Sequence, residues 1–335
     1  MKRGVYITFD VECSMGGAWG DRKLRPVPPS RAVVGQYGDQ QLGVPLICDI
    51  LAGSGLAATF FVEVFAQEQG NPGQTEPVCH LLLDRGHDVQ LHIHPTHKHY
   101  GLDQQAEPHP FTDQLAELES EAQRALLTEG CDRIERWTGT RPVAFRAGNM
   151  GADEVSLREM AAVGIRIDSS YTFPYLGGQC KFHDEQRYNG SKWYGDVLEL
   201  ALSGFYQPRL PALHAAKPLD LVGISFEECR DAIEQTHAAG ADAVVILHSF
   251  SLFKVRNVQY DGGRLNRIVA RRFRKLCRWL AENADEYPTY TFAQLAKAID
   301  GGRYEAKAVP PCELNHPLRA LTRKAVQAVN NLYWV

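Results

Sequence analysis

Alternation of strand-like and helix-like segments predicts an α/β fold, a mainly parallel sheet with helices packed outside it. Three observations carry this expectation. Short apolar runs recur along the chain, bounded by glycine, proline or polar residues. Between them lie stretches with apolar residues at three- and four-residue spacing, the mark of amphipathic helices. Residues able to do chemistry then collect where strands end: Asp10 and Glu12, His92 and His94, Arg146, Asp168, and His248. Reactive side chains gather at the carboxyl ends of strands in parallel barrels and open sheets, so five such ends point to one shared site.

The first strand runs from Val5 to Val11, with Val5, Ile7, Phe9 and Val11 on one face and Tyr6, Thr8, Asp10 and Glu12 on the other. Two acids on one face at the end of a buried strand are costly unless paired or metal-bound. The Gly/Pro-rich stretch from Ser14 to Gln41 is a long connection of the kind that often serves function. Helical spacing covers Val44 to Ala52, Gly53 and Gly55 end it, and Ala57 to Val62 forms the next strand. Gly53-Ser54-Gly55-Leu56-Ala57-Ala58 loosely fits a dinucleotide-binding pattern. It closes a helix and opens a strand, the reverse of what that pattern requires, so a nicotinamide site is rejected.

A helix from Glu76 to Arg85 stops at Gly86 and leads into a strand that ends in three imidazoles. Alternation points His92 and His94 the same way, and His97 can curl back from the loop after Pro95. Neutral imidazole is the commonest protein ligand for zinc and similar metals. Residues Phe111 to Trp137 contain a long amphipathic helix, and Val143 to Phe145 a short strand. Asp153 caps a helix that runs to Val163. Ile165 to Ile167 is strand-like and is followed by Asp168-Ser169-Ser170. From Tyr171 to Tyr194 the chain is aromatic and glycine-rich without a period, and is read as a loop lining substrate. Val197 to Leu202 is strand-like, Ser225 caps a helix to Ala238, and Ala243 to Leu247 is an apolar strand ending at His248. A helix over Leu265–Ala284, and a last one that follows Tyr290-Thr291-Phe292 and runs to Ile299, complete the pattern.

Composition narrows the function classes. The 335 residues are 44% hydrophobic and 23% charged, ordinary for a globular protein, and the net charge of −4 argues against a nucleic-acid partner. Eight cysteines without a Cys-x-x-Cys pair read as reduced, mostly buried thiols. The N-terminus has no apolar signal region, and no uninterrupted apolar window is long enough to span a bilayer. A cytoplasmic location is therefore expected, and the sequon Asn189-Gly190-Ser191 is discounted.

The order Thr8-Phe9-Asp10-Val11-Glu12, Ala58-Thr59-Phe60-Phe61-Val62, Gly86-His87 with His92 five residues on, Phe145-Arg146-Ala147-Gly148, Asp168-Ser169-Ser170 and Leu247-His248-Ser249 resembles the NodB-homology polysaccharide deacetylases, carbohydrate esterase family 4. The resemblance spans residues 4 to 298, and His92-Ile93-His94-Pro95 is most similar to the lipopolysaccharide-biosynthesis branch. It implies a distorted (β/α) barrel of the glycoside hydrolase–deacetylase type over residues 1–300, with a C-terminal extension over 301–335. It also implies a carbohydrate substrate and a divalent metal, usually Zn2+, held by one carboxylate and two histidines. Asp10 would then be the general base acting on water, and Glu12 the carboxylate ligand. Arg146 would hold Asp10 in place and ionised, His248 would protonate the leaving amine, and Asp168 would orient His248.

The sequence departs from the family pattern twice. The usual adjacent aspartates are here separated by Val11, which keeps both acids on one strand face but leaves open which binds metal. The usual histidines lie four apart, yet Thr96 stands four residues after His92. The second histidine ligand is therefore His94 or His97, with His94 placed first on strand geometry. His80, His99 and His109 are read as surface or core residues. Plainer roles stay open: the acids as ion-pair partners of Arg146, Asp168 as a turn residue, and His248 as a core histidine. A serine hydrolase is excluded because no Gly-x-Ser-x-Gly elbow exists.

Two segments stand outside this pattern. Arg264, Arg267, Arg271, Arg272, Arg274, Lys275 and Arg278 lie on one acid-free stretch, with Leu265, Val269, Leu276 and Leu280 forming an inward stripe. Such a helix is either a solvated basic face or a landing site for anions: a lipid-linked sugar diphosphate, a nucleotide sugar or a membrane surface. In the tail, Leu318, Leu321, Ala325, Val329 and Leu332 recur at helical spacing. That helix is expected to pack on the barrel, with a partner or membrane surface as the alternative. The sequence thus leads to a metal-dependent hydrolase removing an acyl group, acetyl first, from an amino sugar. A hydrolase of non-sugar C–N bonds and a non-catalytic sugar binder are the competing readings.

Overall fold

The computed structural model describes residues 1–21, 23–66, 73–103, 112–209 and 215–331. Its main sheet has nine strands: β1 (Val5–Val11), β2 (Thr59–Glu63), β3 (Asp88–Ile93), β4 (Ala144–Ala147), β5 (Ile167–Asp168), β6 (Asn189–Tyr194), β7 (Val197–Leu200), β8 (Ala243–His248) and β9 (Ala308–Val309). They lie in the order β8-β1-β2-β3-β4-β5-β7-β6-β9. Every pairing from β8 to β7 is parallel, while β6 and β9 join by antiparallel ladders. The helices named below are α1 (Val44–Ala52), α2 (Glu76–Asp84), α3 (Pro95–Asp103), α4 (Ser120–Thr138), α5 (Glu154–Ala162), α6 (Phe226–Ala238), α7 (Arg267–Glu282), α8 (Phe292–Asp300) and α9 (Pro317–Asn331).

The sheet curls into an incomplete barrel. Irregular chain spans its open side: Ser203 donates its backbone N–H to the Val244 carbonyl (3.2 Å), and Ile246 donates to Leu219 (3.0 Å). Strand alternation sorts the side chains. Phe9 goes outward, stacking on Phe60 at 4.8 Å and meeting Phe273 of α7 edge-on at 5.6 Å. Tyr6, Thr8 and Asp10 go inward, as do Phe61, Glu63, Gln90, His92 and Arg146, and all are buried. Both faces of the parallel strands are therefore covered, which is why β8 reads as a continuous apolar run.

The predicted caps hold: Asp153 and Ser225 each accept a backbone N–H three residues on, in reciprocal capping boxes. Elsewhere the structure corrects the reading. The stretch read as a loop from Tyr171 to Tyr194 contains a 3₁₀ turn at Phe173–Tyr175 and the strand β6. Pairing of Tyr194 with Val197 makes a two-residue Gly195-Asp196 hairpin turn, with Gly195 at φ +60°. Gly190 and Lys192 hide the alternation of β6 in the sequence, and a side chain at Gly190 would collide with the Lys307 carbonyl beside β9.

After Pro95 the chain forms α3 rather than a loop, with His97 buried in its first turn. The tail helix α9 docks on the barrel through Ala320 and Arg323, whose guanidinium meets Glu228 at 3.0 Å. Its expected apolar stripe instead faces outward: Leu318 is 81% exposed and Val329 59%. A buried ion pair, not the stripe, sets its rotation. His109, Phe111 and Leu332 lie outside the described residues, as does the side chain of His99. All eight cysteines are free. Among the described residues no helix is long and apolar enough to cross a membrane.

Candidate metal centre and catalytic cleft

Sheet register brings the polar strand ends together. Asp10 is the Cα partner of His248, Glu63 of His92, and His92 of Arg146. Glu12 follows β1 on the same face as Asp10. At the centre lies Arg146, its side chain fully buried. It donates to Asp10 Oδ1 at 2.7 Å, Thr8 Oγ1 at 3.0 Å, the Ser169 carbonyl at 3.0 Å and Ser169 Oγ at 3.1 Å. Its guanidinium also lies 4.3 Å from the centre of the Phe61 ring. Four hydrogen bonds and an aromatic face fix it, and it in turn fixes Asp10. Asp10 Oδ2 accepts no hydrogen bond among the described residues.

Ligand-capable atoms of Glu12, His92 and His94 lie within 4.8 Å of one another. Glu12 Oε2 is 3.2 Å from His92 Nε2 and 2.5 Å from His94 Nε2. The rear nitrogen of each ring is committed. His92 Nδ1 faces the Arg146 carbonyl at 2.7 Å, an acceptor only, so Nδ1 carries a proton and Nε2 is the ring atom that meets Glu12. His94 Nδ1 is taken by Asp113 at 2.7 Å. Two imidazole nitrogens and a carboxylate thus converge where only a positive charge makes them compatible. A proton on His94 supplies one, and a divalent cation in its place would satisfy all three donors. The outward hydrogen bonds are those that orient metal-binding histidines.

Electrostatics agree. Burial pushes Glu12 up, but the His94 charge and the hydrogen bonds from both histidines outweigh it and hold the carboxyl well below its usual range. Burial pulls His94 down, while Glu12 and Asp113 on its two sides raise it well above an ordinary imidazole. His97 is different: burial and the neighbouring His94 charge lower it to about 3. Its ring packs 5.5 Å from that of His94, outside the Glu12–His92–His94 group. His80 sits on the far side of α2, bonded to the Trp137 carbonyl.

Sequence reasoning missed three acids here. Glu63 ends β2 beside His92, its oxygens accepting the Phe65 and Ala66 N–H groups at 2.8 and 2.6 Å, and burial pushes it up to about 8. Thr59, Phe61 and Glu63 continue one inward parity, a signal masked in the sequence because the apolar run ends at Val62, one residue before Glu63. Asp113, from an irregular segment, braces His94 and accepts from Thr96 Oγ1 (2.6 Å) and Asn149 Nδ2 (2.6 Å). The third is Asp220.

His248 Nε2 lies 3.9 Å from Glu12 Oε1, its ring stacked on Phe250 at 5.1 Å. With its side chain 29% exposed it opens into a cleft of about 530 Å³ that Asp220, Tyr260 and Gln327 also line. Asp168 is not brought to His248. Its register partner is Phe145, which puts it on the outer face of the sheet, opposite Arg146. There it accepts from Ser170 Oγ at 2.7 Å and neighbours Glu199. The turn-residue alternative describes this contact, and Ser169 is the residue that faces inward. Besides Glu12, the acid that feels the His248 charge is Asp220, which burial raises and that charge lowers, with a net rise.

No family model matches the sequence, and no curated protein does. Solved structures do. A Mycobacterium smegmatis protein provisionally designated a polysaccharide deacetylase is 16% identical, with a TM-score of 0.53 over 94% of this chain and 96% of that one. Peptidoglycan deacetylase PdaC from Bacillus subtilis is 14% identical, with a TM-score of 0.40 over 90% and 93% of the two chains. The family 4 carbohydrate esterase from Streptomyces lividans, in complex with acetate, is 13% identical, with a TM-score of 0.42 over 84% and 89%. Likeness at such identities is likeness of fold, and the chain shares the curled α/β barrel of the mycobacterial protein.

Proposed function

We propose that this protein is a metal-dependent amide hydrolase that removes an N-acyl group, acetyl first, from an amino sugar during assembly of a cell-surface polysaccharide or lipopolysaccharide. The observation that carries the reading is the convergence of Glu12, His92 and His94 beside Asp10 and His248 at one end of the barrel. Their two-nitrogen, one-oxygen donor set suits Zn2+. When bound, such an ion lowers the pKa of water and polarises an acyl oxygen.

The chain's own groups supply the rest. Asp10, oriented by Arg146 through Oδ1, keeps Oδ2 free to take a proton from the attacking water. His248, at the cleft and beside Asp220, is placed to give a proton to the departing nitrogen. Glu63 fixes the turn after β2 through two backbone N–H groups, and Asp113 fixes the His94 ring. The outward stripe of Leu318, Leu321 and Val329 supports peripheral contact of α9 with a membrane.

The test is purification with metal analysis, followed by an assay of acetate release from N-acetylated amino sugars. Bound or activating zinc, cobalt or nickel together with acetate release supports the reading. Ammonia release from other substrates would favour a different C–N hydrolase on the same barrel. Sugar binding without metal or turnover would leave a binding protein and end the proposal.

A further inference from the structure

A groove of about 640 Å³ lies between α7 and α9, with the first turn of α6 beside it. Six cationic side chains line it: Arg267, Arg271, Arg272 and Lys275 from α7, and Arg319 and Arg323 from α9. Glu227 is the only acid in that lining among the described residues. Three of the cations have carboxylate partners, Lys275 with Glu227 at 3.0 Å, Arg323 with Glu228 at 3.0 Å and Arg319 with Asp231. Arg267 and Arg271 are exposed and form no ion pair among the described residues. Arg272 is 8% exposed, and its NH1 donates to the carbonyls of Leu221 (3.0 Å) and Val222 (3.1 Å). Acids reach it only at longer range.

This arrangement is costly as it stands. Arg267 and Arg271 stand four residues apart with no acid among the described residues paired to either, so two like charges stack along the groove edge, and only Lys275, the next step on, is offset by Glu227. A buried guanidinium with no carboxylate in contact adds a desolvation cost. An anion in the groove would offset both, and guanidinium forks match phosphate oxygens two at a time. The groove also shares a wall with the cleft. Asp220 and Val222 line the cleft, and the Val222 carbonyl is one that Arg272 holds. On the other side α9 gives Gln327 to the cleft and Arg323 and Val326 to the groove.

We propose that this groove binds the phosphate or diphosphate of an acylated sugar whose amide lies in the cleft beside His248. The second half rests on the amide-hydrolase reading; the anion site itself does not. Nucleoside-diphosphate sugars and lipid-diphosphate sugars share the chemistry recognised.

The test is isothermal titration calorimetry of the full-length protein with sodium pyrophosphate, whatever its hydrolytic activity. Binding should weaken at least about tenfold in Arg267→Glu/Arg271→Glu, since two charge-assisted contacts are lost. It should hold in Arg274→Glu/Arg278→Glu, which makes the same charge change on α7 outside the groove. All four side chains are exposed, and circular dichroism checks that both variants fold. No pyrophosphate binding, or equal weakening in both variants, overturns the site. Competition against pyrophosphate then separates the sources, using UDP-N-acetylglucosamine in one arm and polyprenyl-diphosphate N-acetylglucosamine in phosphatidylcholine vesicles in the other. Displacement by either supports the assignment to substrate, and displacement by neither overturns it. Pyrophosphate binding without any amide hydrolysis would sink the hydrolase reading and leave the groove standing.

Discussion

Asp113 accepts a hydrogen bond from Nδ1 of His94 at 2.7 Å, while Thr96 and Asn149 hold its carboxylate in place. That contact decides which His94 nitrogen faces Glu12. Asp113→Asn keeps the shape and removes the charge that favours Nδ1–H. Affinity for zinc should fall by roughly 10–100-fold, the usual cost of losing such a brace. Competition with a chromophoric chelator measures it. His97→Ala, outside the ligand group, should change affinity far less than His94→Ala, and equal losses would place His97 among the ligands.

Gly148 gives a second handle on the same ring. A Cβ there would lie 2.5 Å from His94 Nδ1, 2.6 Å from Cγ and 2.7 Å from Cε1, so the whole imidazole would have to move. Because Asp113 and Glu12 grip both ends of that ring, Gly148→Ala should weaken metal binding at least about tenfold, a ligand-orientation effect of the Asp113 kind. A crystal structure of the variant with His94 undisturbed would remove the argument.

Period-two alternation made half of this site legible in the sequence. It placed Asp10, Glu12, His92 and His94 on inward faces because β1 and β3 are long enough to set a parity. It failed at Asp168 because β5 is two residues long and carries no apolar rhythm of its own. Only the pairing of Phe145 with Asp168 shows which face that acid takes. Asp113 and Asp220 come from irregular chain whose position depends on long-range packing, so no local pattern announces them. The fold class followed from alternation, whereas the β6–β7 hairpin was missed although its Gly195-Asp196 turn is a recognisable signal. Tail-helix rotation turned on Arg323 meeting Glu228, a contact between residues ninety-five apart.

The division of labour between the two acids of β1 can be tested by removing one charge at a time. Asp10→Asn should retain metal and lose at least about 100-fold in turnover, the low end of a general base's contribution. Glu12→Gln should lose the metal. Reversal of these outcomes would exchange the two roles.

His248→Ala should slow amide cleavage far more than cleavage of an activated phenyl ester, whose leaving group needs no proton. The expected gap is about 100-fold in relative kcat. Equal losses on both substrates would leave His248 without an acid role. Asp220→Asn should shift the pH dependence of amide cleavage, and Asp168→Asn should not, because Asp168 lies on the outer face of the sheet.

Asp168 and Glu199 face each other across β5 and β7, both fully buried. Glu199 Oε1 accepts the Tyr171 N–H at 3.0 Å, while Oε2 is buried without a donor. A proton on Oε2 resolves this by turning it into a donor toward Asp168. Burial and the Asp168 charge accordingly raise Glu199 well above its usual range, and burial raises Asp168 as well. The folded protein therefore keeps a proton that the unfolded chain releases near pH 4.3, the ordinary glutamate value. The resulting stability is fully present below that pH and is lost as pH rises through the folded value. Each unit of pH in that window costs at most about 1.4 kcal/mol for one proton. Glu199→Gln is permanently neutral and still able to donate to Asp168, so it should flatten this dependence and be the more stable form at alkaline pH. Urea unfolding from pH 5 to 9 measures both slopes, and parallel slopes would mean that Glu199 is ionised in the folded protein.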